Sequence, residues 1–148
     1  NVDQPLFHDS IKPSARGTGP VAYIRVHGRN YREWFRKNAG RDARYDYLYT
    51  AQELRPWADR AAELAGQLTT GAVYVVTNNH TRGKAPANGL MLEAMLAGHK
   101  VQSPPALYAA YREQLEPFAD PAQEAESAAR GPLSAPRGRS RSPAPAAR

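Results

Sequence analysis

Cationic and amide side chains follow two apolar stretches of the sequence, and their types suit the binding of an anion. The first stretch ends in Arg25, His27 and Arg29, and a second polar group follows later in the chain. That second group comprises Asn78, Asn79, His80 and Lys84. Guanidinium and ammonium groups donate hydrogen bonds to carboxylate or phosphate oxygens, and amides add neutral donors and acceptors. We therefore predict one anion-binding site, with His27 or His80 as general acid or base because histidine titrates near neutral pH.

Two strands are expected to bring these side chains together. Residues 21–29 alternate between apolar and polar side chains, which is the period of a strand. Residues 72–77 form a uniformly apolar, β-branched run, which predicts a strand buried on both faces, as in parallel sheets. Because ligands of α/β proteins bind at the carboxyl ends of parallel strands, both polar groups are expected at one edge of the sheet.

A helix is predicted between the two strands, since Thr50 and Glu53 have the spacing of a capping box. Apolar residues then recur on one face of this helix, at Leu54, Trp57, Ala61, Leu64 and Leu68. Pro56 is expected to kink the helix, unless the helix begins near Arg55. Two further helices are predicted over residues 86–97 and 105–116, and the first directs its N-terminal amides towards the predicted site. A strand–helix–strand unit is the crossover of α/β folds.

The basic charge of the chain is concentrated in its C-terminal segment. The net charge is +6, but five of the 20 Lys and Arg residues lie after residue 126, where there are no acids. Residues 1–126 are therefore nearly neutral, with 15 cations and 14 acids. Residues 120–148 are rich in Ala, Pro, Arg and Ser and are predicted to be a disordered tail behind a domain at residues 1–119. A pI near 9.8 is thus no sign of a nucleic-acid-binding domain.

The composition excludes several classes of protein. There are no cysteines, so disulfides, thiolate metal sites and cysteine nucleophiles are absent. No apolar run approaches the ~20 residues of a membrane span, and a cytoplasmic location is expected. A metal site would need several converging His or carboxylate side chains, and only Asp3, His27 and His80 are candidates. We therefore predict no metal site.

Each candidate residue also has a purely structural interpretation. Arg25 could pair with a carboxylate on a strand outside this sequence, and His27 could be a hydrogen-bonded core histidine. Asn78 and Asn79 could satisfy loop backbone, while Lys84 could be a solvated charge. By residue type alone, the tyrosines at positions 45, 47 and 49 are more typical of packing than of ligand stacking.

Several motifs in order resemble one family. YIRVHGRN, RYDYLYTAQEL and VYVVTNNHTRGKAPANGLML, preceded by NVDQP, are similar to the YecE-like family, domain-of-unknown-function family 72, over residues 1–96. The resemblance implies an α/β fold of the TIM-barrel type. A (β/α)8 barrel takes about 250 residues, so the chain would be a C-terminal portion of one, a fragment with its last two to three β/α units. NVDQP would then end the preceding strand.

The resemblance also implies the positions of the site but not a reaction. His27 and His80 are the predicted catalytic residues. The predicted ligand-binding residues are Asp3, Arg25, Arg29, Tyr47, Asn78, Asn79, Lys84 and Asn88. We expect an anionic small molecule bearing phosphate or carboxylate to bind there. The sequence determines neither whether the protein is an enzyme nor whether it uses a cofactor. The alternatives are a nucleic-acid-associated protein using a basic rim and tail, or a truncated chain without function.

Overall fold

The computed structural model describes residues 1–8, 10–40, 42–68 and 71–123. Strands and helices alternate along most of this chain. The five strands are β1 (Val2–Asp3), β2 (Val21–Val26), β3 (Ala72–Thr77), β4 (Val101–Ser103) and β5 (Ala119–Pro121). The five α-helices are α1 (Tyr31–Trp34), α2 (Ala51–Gln67), α3 (Lys84–Ala97), α4 (Pro105–Ala110) and α5 (Arg112–Leu115). Two 3-10 turns, Ala43–Tyr45 and Thr81–Gly83, lie in the loops that follow β2 and β3.

The main sheet is parallel, with strand order β1-β2-β3. Arg25 lies opposite Val2 on one side and Val76 on the other, and Val26 lies opposite Thr77. All three strands therefore end at the same edge. The prediction that NVDQP ends a neighbouring strand is confirmed by β1, and the predicted β3 has the bounds expected from the sequence. Strand β2 ends at Val26 rather than at Arg29, because Gly28 takes a left-handed φ of 103° and turns the chain.

One face of the sheet forms the core with α2 and α3. Ala22, Ile24 and Val26 of β2 are buried against Leu54 and Trp57 of α2 and against residues of α3. The alternation seen in the sequence thus points the apolar side of β2 at the helices. The fold is α/β with parallel sheets, as expected.

Helix α2 starts where its capping box predicted. The Thr50 side chain accepts a hydrogen bond from the Glu53 backbone N–H, and the Glu53 carboxylate accepts one from the Thr50 N–H. The helix therefore begins at Ala51 and includes Pro56, so the alternative start near Arg55 is wrong. Proline leaves the carbonyl of Gln52 without its helical donor. Because both residues are exposed, water can satisfy that carbonyl.

The other face of the sheet is open, and here the sequence prediction for β3 is wrong. Tyr74 and Val76 of β3 are 56% and 36% exposed, and Val21 and Tyr23 of β2 are 58% and 46% exposed. With Val2, these residues form the open face of the sheet. An apolar run predicts burial on both sides, but β3 is an edge strand here and helices cover only one side.

The C-terminal part contains a second, two-stranded parallel sheet that the sequence analysis missed. Strands β4 and β5 pair over three residues each, and their Gln, Ser, Asp and Pro residues lack an apolar strand pattern. The single helix predicted over residues 105–116 is divided into α4 and α5, because Tyr111 leaves helical geometry at φ −130° and ψ 35°. Helix α3 ends at Gly98 in a left-handed conformation, as predicted.

The predicted tail lies largely outside the described residues. Strand β5 includes Asp120 and Pro121, so regular structure continues past residue 119, and description ends at Gln123. Across the ranges that the structure covers, we find no helix with the length and apolar character to cross a membrane.

The open face predicts that the purified 148-residue chain self-associates, since a contiguous apolar surface and an unpaired strand edge both favour association. We expect wild type to elute as oligomers or aggregates in size-exclusion chromatography with light scattering. The double variant Tyr23→Thr/Tyr74→Thr should shift towards monomer. Leu96→Gln, at an exposed apolar position of α3, is the matched control and should not. A monomeric wild-type chain with a cooperative melt by circular dichroism would refute this prediction.

Candidate functional site

Strand alternation sends the two adjacent asparagines after β3 to opposite sides of the sheet. The Asn78 backbone N–H donates to the Val26 carbonyl at 2.7 Å, so parallel pairing extends one step beyond the strands. Asn78 then lies beside His27 at the open-face end of the sheet. Asn79 points to the helix side and is fully buried. The two amides therefore have different surroundings.

On the open-face side, Asn78 links Arg25 to His27. Arg25 Nη2 donates to Asn78 Oδ1 at 3.1 Å, and Asn78 Nδ2 lies 2.9 Å from His27 Nδ1. We call these three side chains the Arg25–Asn78–His27 relay. Arg25 is partly buried, and its Nε is inaccessible to solvent and has no hydrogen-bond partner. Burial, and then the charge of Arg25, lower the pKa of His27, with Asp3 opposing them.

Aromatic rings form a wall beside the relay. The ring of Tyr45 lies 5.8 Å from His27 and 5.4 Å from His80, and Trp34 contacts His27 edge-on at 6.4 Å. His80 is more exposed, with its Nε2 3.4 Å from a carboxylate oxygen of Asp42. The structure thus brings His27 close to Arg25 and Asn78, and His80 Nδ1 lies 3.2 Å from the Asn78 carbonyl oxygen. Trp34 was missed as a neighbour of the site, whereas Tyr45 was expected to pack and does so against both histidine rings.

A second cluster, on the helix side, joins β1, the end of β2 and α2. Arg29 Nε donates to Asp3 Oδ2 at 2.9 Å, and Nη2 donates to Asp3 Oδ1 at 3.0 Å. Arg29 Nη1 lies 3.6 Å from Glu53 Oε1, and the Tyr47 hydroxyl donates to the same oxygen at 2.5 Å. We call this the Asp3–Arg29–Glu53 network. Asp3 is only 2% exposed, and its carboxylate is paired with the Arg29 guanidinium inside the protein.

The network shifts the titration of its members in opposite directions. Burial alone would raise the pKa of Glu53, but hydrogen bonds from Tyr47 and Thr50 and the Arg29 charge outweigh it, and the pKa is lowered. Burial and the neighbouring Glu53 carboxylate raise the pKa of Tyr47 to about 12. Burial and then Asp3 raise the pKa of Tyr49, whose hydroxyl accepts a hydrogen bond from Gly28 N–H at 2.7 Å. Tyr47 therefore stays protonated and Glu53 stays charged across the neutral range.

Asn88 of α3 holds the loop before α2 in place. Its Oδ1 accepts from the Tyr49 N–H at 3.0 Å and from Asn79 Nδ2 at 2.8 Å, and its Nδ2 donates to the Tyr49 carbonyl at 3.0 Å. Asn79 also donates to the Tyr47 carbonyl at 2.7 Å. Gly28 fits against this group, since a Cβ there would lie 2.9 Å from Tyr47 Cβ. Asn79 and Asn88 thus position backbone.

Lys84, at the start of α3, is paired with Asp46 at 2.5 Å. Of the predicted cations, Arg29 and Lys84 therefore have carboxylate partners, whereas Arg25 has none among the described residues. The pairing of Lys84 with Asp46 had no sequence signal, because 38 residues separate them.

The described part of the chain contains no group of side chains arranged to hold a metal ion. No three His, Asp or Glu side chains in that part lie close enough to share an ion. A cavity of about 620 Å³ lies against β1 and the loop after it, lined by residues that include Gln4, Lys12 and Arg16. None of the predicted site residues lines this cavity.

Replacing Asn88 by alanine is expected to destabilise the protein by about 3 kcal/mol or more. The substitution leaves the Tyr49 N–H and carbonyl and one Asn79 donor buried without this partner, at about 1–3 kcal/mol for each unsatisfied group. Urea unfolding measures the change. Gln52→Ala, at an exposed position of α2, is the control and should change stability by less than about 0.5 kcal/mol. A loss below about 1 kcal/mol for Asn88→Ala would argue against this role.

Tyr47→Phe is expected to lower stability by about 1.5–3 kcal/mol at pH 7, since it removes a hydrogen bond to a charged carboxylate. A group whose folded pKa is depressed contributes stability above its unfolded value and loses it as pH falls through the folded value. The cost should therefore persist above the ordinary Glu53 pKa of 4.5 and shrink below it. Urea titrations of wild type, Tyr47→Phe and the exposed control Tyr23→Phe at pH 7 and pH 3 measure this. An equal cost at both pH values would contradict the prediction.

The chain is similar to several known proteins. The chain is 37% identical over 99 residues to the UPF0759 protein YunF of Bacillus subtilis (strain 168), covering 64% of this chain and 34% of that protein. A crystal structure of a DUF72 family protein from Thermotoga maritima MSB8 aligns with a TM-score of 0.57 at 34% identity. Another, from Enterococcus faecalis V583, aligns with a TM-score of 0.56 at 28% identity.

Each structural alignment covers 65% of this chain and 35% of the other. The chain thus spans about a third of the length of the relatives that it matches. The family model for the protein of unknown function DUF72 matches residues 1–111, which include every predicted site residue. The chain therefore belongs to the DUF72 family, whose function is unknown.

Proposed function

We propose that this chain binds an anionic small molecule, bearing a phosphate or a carboxylate, through Arg25 at the carboxyl edge of the main sheet. The observation that carries the proposal is a partly buried guanidinium that has no carboxylate partner among the described residues. Buried charges in proteins are normally paired. An anion from outside the described structure would supply the missing charge.

The hydrogen bonds of Arg25 support this interpretation. The one hydrogen bond of its side chain to a described residue goes to a neutral amide, and its Nε is buried without an acceptor. An unsatisfied buried donor costs about 1–3 kcal/mol. A phosphate or carboxylate can accept from two guanidinium nitrogens at once and would supply the charge that Arg25 lacks. Arg29 and Lys84 are already neutralised, so in this proposal they shape the site rather than hold the anion.

The position in the fold also supports the proposal. The sheet is parallel, its helices cover one face, and Arg25, His27 and Asn78 lie where its strands end. We propose that this sheet is the C-terminal part of a (β/α)8 barrel, with its last two to three β/α units and a domain over residues 1–119. In such barrels ligands bind at the carboxyl ends of the strands. In such a barrel, strands beyond those of this chain would cover the open face.

The ten predicted site residues have two kinds of role in this proposal. Arg25, His27 and His80 lie where a ligand can touch them, and Asn78 connects Arg25 to His27. The positioning residues are Asp3, Arg29, Tyr47, Asn79, Lys84 and Asn88. The reaction, if the site turns over its ligand, is not assigned. A cytoplasmic location, a disordered tail and an association with nucleic acid remain sequence-based proposals.

The test compares Arg25→Gln with wild type in the full natural polypeptide. Inorganic phosphate and acetate are titrated at constant ionic strength, and thermal unfolding is followed. A ligand that binds only the folded state stabilises it by about 2.7 kcal/mol at 100 times its dissociation constant. We expect at least one anion to raise the wild-type melting temperature and to lose that effect in Arg25→Gln.

Arg55→Gln, at an exposed position of α2, is the matched control and should respond like wild type. Equal stabilisation of Arg25→Gln and wild type would overturn the proposal. So would an Arg25→Gln variant that is destabilised without anion while neither anion stabilises wild type. That outcome identifies Arg25 as half of an internal ion pair.

A further inference from the structure

The contacts of the Asn78 amide determine which of its ends faces which neighbour. Arg25 approaches one end at 3.1 Å, and His27 Nδ1 approaches the other at 2.9 Å. A guanidinium has only donors, so the end that faces Arg25 must be the amide oxygen. The NH₂ group of Asn78 must then face His27.

This orientation determines the tautomer of His27. An amide NH₂ only donates, so His27 Nδ1 must accept, with its lone pair directed at Asn78. The single proton of the neutral ring then lies on Nε2. Within the described residues, Nε2 has no hydrogen-bond partner, so its N–H is available to a ligand.

The surroundings of His27 also disfavour a second proton. A proton on Nδ1 would face the NH₂ donors of Asn78 and would break that hydrogen bond. The charged and titratable groups that face the ring are Arg25 on β2, Asp3 on β1 and Tyr45 in the 3-10 turn. Burial and the Arg25 charge lower the pKa of His27 from its ordinary value of 6.5, although Asp3 opposes them. The ring is therefore neutral at pH 7.

We propose that His27 binds the ligand as a neutral Nε2–H donor, and that Asn78 is the positioning residue that selects this tautomer. The inference rests on the proposed function and narrows it. The ligand presents an oxygen that accepts from His27 Nε2–H beside the Arg25 guanidinium, as a phosphate or carboxylate oxygen does. Because Nδ1 is occupied by Asn78 and Nε2 carries a proton, His27 has no free lone pair. In this proposal it is a hydrogen-bond donor to the ligand and not the general acid or base predicted from the sequence.

The first test is the tautomer itself, read without any ligand. Imidazole ¹⁵N shifts are recorded by NMR on the full natural polypeptide labelled with [¹⁵N]histidine, and His27→Gln assigns the His27 signals. We expect an unprotonated Nδ1 and a protonated Nε2 at pH 7. A ring protonated on Nδ1, or on both nitrogens, at pH 7 would overturn the inference without the use of any relay variant.

The second test changes the positioning residue. Asn78→Asp replaces the NH₂ donor by a carboxylate, which accepts from Nδ1–H and favours the imidazolium. We expect the neutral tautomer to switch to Nδ1–H and the pKa of His27 to rise by about one unit or more, as for other histidines beside a carboxylate. Gln102→Glu adds the same charge at the exposed middle position of β4 and should leave the His27 tautomer unchanged. An unchanged His27 tautomer in a folded Asn78→Asp protein would count against the assigned role of Asn78.

A third measurement separates this inference from the proposed function. Inorganic phosphate and acetate are added to the labelled wild-type protein. A shift of His27 Nε2–H upon binding supports both. If an anion binds through Arg25 while the ring is protonated on Nδ1, the tautomer inference fails and the proposed function stands. If the ring is protonated on Nε2 but neither anion binds, the proposed function fails and the ligand role of His27 fails with it.

Discussion

The parallel pairing of β2 with β3 is the constraint on which the candidate site depends. Its register places Val26 opposite Thr77, and a backbone hydrogen bond continues the pairing to Asn78. Because side chains alternate along each strand, His27 and Asn78 must lie on the open-face side. Gly28 and Asn79 must lie on the helix side. A slip of one residue would exchange the two sets and would separate Arg25 from Asn78.

The two sides of the sheet edge treat charge differently. On the helix side, Arg29 is held by Asp3 and Glu53, and Glu53 also caps α2 and accepts from Tyr47. Arg29 is therefore paired, and the network joins β1, the loop after β2 and the start of α2. On the open-face side, the Arg25 guanidinium hydrogen-bonds only to the neutral amide of Asn78 among the described residues. The contrast between paired and unpaired guanidinium groups is the reason to place a ligand beside Arg25 rather than Arg29.

Neutral hydrogen bonds add to the ion pairs in holding the edge together. The Asn88 side chain hydrogen-bonds both the N–H and the carbonyl of Tyr49, as a neighbouring strand would. Asn79 donates to the same Asn88 oxygen. Gly28 permits the close approach of Tyr47 that this arrangement needs, and its φ of 103° suits glycine. The loops after β2 and β3 are thereby tied to α3. The backbone that carries the two histidines and Asn78 is therefore held in place by hydrogen bonds on the helix side of the sheet.

The sequence by itself determined β2, β3 and α2 and the edge of the sheet at which the polar residues gather. Alternation in β2, the apolar run of β3 and the Thr50–Glu53 capping box are short-range signals, and the observed elements follow them. Only the tertiary structure decided which charges are neutralised and which face of the sheet is open. The ion pair of Arg29 with Asp3 joins residues 26 positions apart, and that of Lys84 with Asp46 joins residues 38 positions apart. Pairs so far apart in the sequence produce no periodic pattern in it. An apolar run does not reveal whether one face or two will be covered, because coverage depends on elements elsewhere in the polypeptide.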